Sequence, residues 1–99
     1  VSQYRVVKHN PPVPNEPEEY TVYMYGYDKQ LMYYFLSIVD SNVPGVFDPN
    51  SGEDTVELVG MLSPLYGDKT NLHTKMTEHG IWHMIPAEHK TAILMDLPF

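Results

Sequence analysis

Four of the five histidines, His73, His79, His83 and His89, fall within seventeen residues, and Glu78 adjoins His79. Imidazole and carboxylate are ligands that zinc and other transition metals accept, and imidazole is the natural proton carrier near neutral pH. The spacing is less persuasive than the count. His79 and His83 would share a helix face at i and i+4, but Gly80 between them interrupts a helix, and no His-Glu-x-x-His arrangement occurs. The expected role of the group is polar surface, with no metal bound; a metal or acid–base site built from Glu78, His79, His83 and His89 is the alternative.

Asp48-Pro49-Asn50-Ser51-Gly52-Glu53-Asp54 spaces oxygen-bearing side chains as a calcium loop begins. Where an EF-hand needs glycine at its sixth position and a bidentate glutamate at its twelfth, this chain has Glu53 and Val59. A tight turn leading into a capped helix accounts for the same residues. Zero cysteines exclude a disulfide framework, a thiolate zinc site and a cysteine nucleophile. Gly67-Asp68-Lys69-Thr70 has only the tail of a P-loop, and no nucleophile elbow is present, so no cofactor is expected.

Charge points to a different chemistry. The chain has 13 acidic and 6 basic side chains and a formal net charge of −7. Ten of the carboxylates lie between Glu16 and Asp68 with one base, Lys29, among them, and from Gln30 through Asp68 there is no Lys or Arg. Such a field repels nucleic-acid phosphate and anionic lipid and steers a basic protein surface into contact. Solubility is the plainer role of the same charges. The partner-binding residues expected from this pattern are Glu53, Asp54 and Glu57, at the start of a predicted helix. Tyr23 and Tyr25 belong to an aromatic strand face that serves either packing, the preferred reading, or an interface.

The expected function is a non-enzymatic acidic interaction module that binds a basic site on a partner protein and inhibits or modulates it, including by occluding a site for nucleic acid. One alternative is a small metal-binding or acid–base enzyme domain using the C-terminal histidines; another is a subunit of a larger assembly. No apolar run approaches the roughly 20 residues of a membrane helix and no signal-peptide pattern is present, so no membrane contact is expected and a reducing cytoplasm is the default compartment.

The 99 residues suit one domain, with residues 9–19 as an acidic connector stiffened by Pro11, Pro12, Pro14 and Pro17. Tyr4–Lys8 reads as an edge strand and Tyr20–Tyr27 as a strand with Tyr23, Tyr25 and Tyr27 on one face. Asp28 can cap a following helix over Lys29–Val39, in which Leu31, Tyr34, Phe35, Ile38 and Val39 make one apolar stripe and a buried core face. A capping box at Ser51–Asp54 opens a second helix through Leu58, Met61, Leu62 and Leu65, ended by Pro64, with a strand over Thr55–Val59 as the competitor. Asp68 or Thr70 can cap a third, peripheral helix to about Glu78, with Gly80 as its C′ residue. Ile81–Ile85 and Ala92–Leu97 read as a final hairpin, or as a helix beginning at Pro86. The expected class is α+β: a small, largely antiparallel sheet of three to five strands packed against one main helix with two shorter flanking helices.

Overall fold

The computed structural model describes residues 3–47, 55–60 and 67–99. Strands β1 (Tyr4–His9), β2 (Tyr20–Asp28), β3 (Tyr33–Ser41) and β4 (Val56–Val59) form one antiparallel sheet in the order β1-β2-β3-β4. Helices α1 (Lys69–Glu78) and α2 (Ala87–Leu94) follow, with a 3₁₀ turn over Trp82–Met84 between them. The α+β class and the small antiparallel sheet are as expected. The arrangement of one main helix and two flanking ones is not: there are two α-helices among the described residues, and the expected main helix is a strand.

That strand is β3. Its apolar residues satisfy a helical stripe only because nearly every residue from Leu31 to Val39 is apolar, which leaves periodicity unable to separate the two structures. Aromatic and β-branched composition decides it: Tyr33, Tyr34, Phe35, Ile38 and Val39 suit a pleated surface better than a helical turn. β2 and β3 pair from Asp28↔Tyr33 through Tyr27↔Tyr34, Gly26↔Phe35 and Tyr25↔Leu36. Asp28 does accept the expected backbone bonds, from Gln30 N at 2.9 Å and Leu31 N at 3.2 Å. Those bonds close a turn over Lys29–Met32, with Met32 at φ +54°, instead of opening a helix.

Alternation then sorts the side chains. Tyr34, Leu36 and Ile38 of β3 join Tyr23 and Tyr25 of β2, Val6 of β1 and Val59 of β4 on an inner, buried face. Leu31, placed in the core by the helical reading, is 54% exposed, and Phe35 lies half-buried on the opposite face.

The connector between β1 and β2 is exposed, but it is not extended throughout: it turns back at Val13–Glu16, where Glu16 N donates to the Val13 carbonyl at 3.2 Å and Asn15 takes φ +69°, so that the two strands run antiparallel. Its ends are pinned by Asn10 N donating to the Glu19 carbonyl at 2.9 Å and Asn10 Nδ2 to Glu19 Oε2 at 2.7 Å. The competing strand over Thr55–Val59 is present as β4; the capping box at Ser51–Asp54, the calcium-like stretch Asp48–Asp54 and Met61–Leu65 lie outside the described residues.

The third expected helix forms as α1, with Asp68 Oδ1 accepting from Asn71 N at 2.7 Å and Gly80 at φ +71° just past the end. It is not peripheral. Leu72 and Met76, a thin stripe, are both 0% exposed because they land on the inner sheet face. Lys8 Nζ of β1 donates to the His79 carbonyl at 2.7 Å, setting a cation at the negative end of α1. The final hairpin does not form. Pro86, with Glu88 in the first turn, starts α2, and Ala87 to Lys90 are better helix formers than strand formers. Ile81, Ile85 and Ile93 complete the core.

Leu36 and Leu31 provide a matched test of strand against helix. Leu36→Ala should cost about 2–5 kcal/mol, as for a fully buried leucine, whereas Leu31→Ala should stay within about 0.5 kcal/mol. Urea denaturation of the two variants checks this; the helical stripe would require the reverse order.

Candidate functional site

The inner face accounts for Tyr23, Tyr25 and Tyr34 and for two of the five histidines, His79 and His89. A buried phenol must satisfy its hydroxyl, and the helices supply the partners. Tyr23 Oη lies 3.0 Å from His79 Nδ1 at the end of α1, and Tyr25 Oη lies 2.6 Å from His89 Nδ1 in α2. Tyr34 Oη donates to the Leu97 carbonyl at 3.0 Å, with Asp96 Oδ1 at 3.4 Å. Tyr4 and Phe99 pack around the second pair, with ring centroids 4.2 Å and 5.0 Å from His89.

Tyr23 and Tyr25 are 3% and 1% exposed, so these two candidate partner-binding residues are core side chains. Burial, and then Tyr4, pushes the Tyr25 hydroxyl up to about 12; burial, with Asp96 and Tyr27, does the same for Tyr34. His79 is held below its ordinary value, first by burial and then by the Lys75 and Lys8 charges.

The histidine alternative does not assemble. His79 and His89 each engage a different tyrosine, His83 is exposed, and Glu78 pairs with Lys75 at 2.9 Å. His73 packs edge-on against Trp82, with centroids 4.4 Å apart. Among the described residues no three His, Asp or Glu side chains form a group that could hold a metal ion.

Chemistry open to a partner gathers on the other side of the sheet. Residues paired across strands share a face, so Arg5, Met24, Ser37 and Glu57 form one row running from β1 to β4. Asp28 and Tyr33 pair at the turn end of this face. At the other end a bulge between Val22 and Tyr23 resets the alternation, so that exposed Asp40, opposite Val22, also points outward. In the β3–β4 pairing Glu57 lies opposite Ser37 on the outer face, and a second register shift, between Leu36 and Ser37, returns Val59 to the inner face with Val56.

Within this face Gln3, Met24, Tyr33, Phe35, Ser37 and Glu57 line an open depression of about 220 Å³. Tyr33 and Phe35 form its aromatic wall, with ring centroids 6.4 Å apart and planes at 58°. Glu57 folds back over Gly60, at φ +150°, where a Cβ would collide with the carboxylate. Burial, then the charges of Asp28 and Glu57, raises the Tyr33 hydroxyl above its ordinary value, which marks this end of the face as electronegative.

Of the predicted acidic trio, Glu57 therefore lines the depression; Glu53 and Asp54 lie outside the described residues. Sequence reasoning missed Gln3, Met24, Tyr33, Phe35 and Ser37 as a group. The signal available for three of them was the alternation Tyr33, Phe35, Ser37 against Tyr34, Leu36, Ile38. The chain matches no protein-family model, no curated protein and no solved structure.

The buried phenols predict an alkaline limit to stability. Unfolded tyrosines lose their protons near 10.0, whereas Tyr25 and Tyr34 hold theirs to about 12 when folded, so stability should fall as pH rises through that interval. Circular dichroism and tyrosinate absorbance should change together.

At the acid end the sign reverses. Folding depresses the proton affinity of His79, so the unfolded chain binds the extra proton first and stability should fall as pH drops below the ordinary 6.5. His79→Asn, which keeps a polar atom near the Tyr23 hydroxyl but does not titrate, should flatten melting temperature between pH 7 and 5; an unchanged slope would assign the loss to other groups.

Proposed function

We propose that this chain is a non-enzymatic protein-interaction module that binds a basic site on a partner through the outer face of its sheet. The observation that supports this is the division of the sheet: the inner face is filled by the helices, while the outer face presents a half-buried centre of Val22, Met24, Tyr33 and Phe35 beside Glu57, Asp28 and exposed Asp40. An apolar centre with charged margins is how partner-binding surfaces are built. The charges are also polarised. Arg5 stands on β1, and Asp40 and Glu57 stand on β3 and β4.

Chemically, the depression is equipped to hold rather than to transform. It has one carboxylate, two hydroxyls (Tyr33 and Ser37) and one amide, with no imidazole beside a nucleophile. Carboxylates on an aromatic platform attract lysine and arginine, so a site that otherwise holds phosphate is among those this face would occlude. Binding of that kind inhibits or modulates a partner without turnover.

Partner capture at low and high salt, followed by association kinetics, tests the reading. Glu57→Lys should slow association about three- to tenfold at low salt while leaving the fold intact, since a marginal charge acts mainly on encounter. Phe35→Ser should instead speed dissociation. An association rate and salt dependence untouched by Glu57→Lys would remove the acidic face from the interface.

A further inference from the structure

We infer that the outer-face depression is a subsite for a single arginine side chain of the partner, its guanidinium lying against the Tyr33 and Phe35 rings and pairing with the Glu57 carboxylate. This rests on the reading of the outer face as the partner-binding surface. At about 220 Å³ the depression is smaller than the roughly 300–1,000 Å³ of sites that enclose small-molecule ligands, and its open form suits one side chain entering from a docked surface.

The lining selects a cation. Two aromatic faces carry negative quadrupoles, and Glu57 supplies a full charge at the same depression. Among the described residues Glu57 is in no ion pair. Arg5, at the far end of the same row, stands three strands from Glu57, roughly 14 Å at the backbone by strand spacing. Met24 and Ser37 lie between them, so Arg5 does not neutralise the carboxylate from within the sheet.

Arginine fits better than lysine or a metal ion. Its planar fork can donate to a carboxylate while its face stacks on a ring, and the Ser37 hydroxyl and Gln3 amide oxygen can accept remaining N–H groups. A compact ammonium uses the carboxylate but not the stacking geometry. A single carboxylate with one amide and the Ser37 and Tyr33 hydroxyls gives at most five side-chain oxygens, too few for calcium.

The test uses the full chain, isotope-labelled for amide NMR, titrated with Nα-acetyl-arginine amide and with the citrulline counterpart, its neutral isostere. The arginine compound should give saturable shifts centred on Gln3, Met24, Tyr33, Phe35, Ser37 and Glu57. Citrulline should bind at least about tenfold more weakly, the difference a charge-assisted hydrogen bond makes. Glu57→Gln should abolish the arginine response while the remaining spectrum reports an intact fold, and Phe35→Leu should weaken it.

Equal responses to arginine and citrulline, shifts scattered over all the exposed carboxylates, or no shifts would overturn the subsite. Those results would do so even if Glu57→Lys slowed association with a partner, because that effect needs only a negative face. A localised arginine response together with partner binding indifferent to Glu57→Lys would keep the subsite and overturn the face as the partner-binding surface.

Discussion

Buried tyrosine hydroxyls are the constraint on which the arrangement depends. Tyr23, Tyr25 and Tyr34 together fill the centre of the inner sheet face, and each carries a polar atom that costs on the order of 1–3 kcal/mol if left without a partner. A covering layer of purely apolar helices would pack the rings and strand the oxygens. The two helices answer with polar groups at set positions: His79 at the end of α1, His89 within α2, and the Leu97 carbonyl just beyond it. These bonds fix where the helices sit along the strands, a placement that non-directional apolar contact leaves loose. Two of the histidines that looked like chemistry, His79 and His89, are thereby part of the architecture.

Satisfying one face leaves the other to a different chemistry. A strand has only two sides, so placing Tyr34, Leu36 and Ile38 inward sends Tyr33, Phe35 and Ser37 outward together. The register shifts in β2–β3 and β3–β4 then break strict alternation at Val39 and Leu58. The first turns Asp40 to the outer face; in the second pairing Glu57 is already outward opposite Ser37, and the shift keeps Val59 inside with Val56 and Ile38. The acidic margin is thus a product of strand pairing and could not follow from composition alone.

That separates what was readable in the chain from what was not. Tyr20–Tyr27 was legible as a strand because Tyr alternates with Val, Met and Gly, and α1 was legible from Asp68 at its start and Gly80 at its end. The segment after Asp28 was misread because an Asp that caps a helix and an Asp that closes a turn accept the same backbone bonds, and a run of nine mostly apolar residues fits either period. The C-terminal segment failed for a similar reason: Ile81–Ile85 and Ala92–Leu97 look apolar enough for strands, but the intervening Pro86–Lys90 has the chemistry of a helix start. Of the candidate site, Glu57 was named from charge alone. Its aromatic neighbours were not, since they depend on strand partners that no local pattern specifies.

The charge asymmetry gives the two faces unequal tolerance to change. Inside, the fit is a matched set of hydroxyls and acceptors, so a substitution there is felt as lost stability before any effect on binding can be seen. Outside, Phe35, Ser37 and Glu57 point away from the helices, so replacing them alters shape and potential at a surface the fold does not need to fill. The inner face holds the strands in register, and register is what keeps Tyr33, Phe35 and Glu57 together. A binding surface assembled in this way gains rigidity from side chains that never touch the partner, and it can be retuned one residue at a time while the tyrosine core stays fixed.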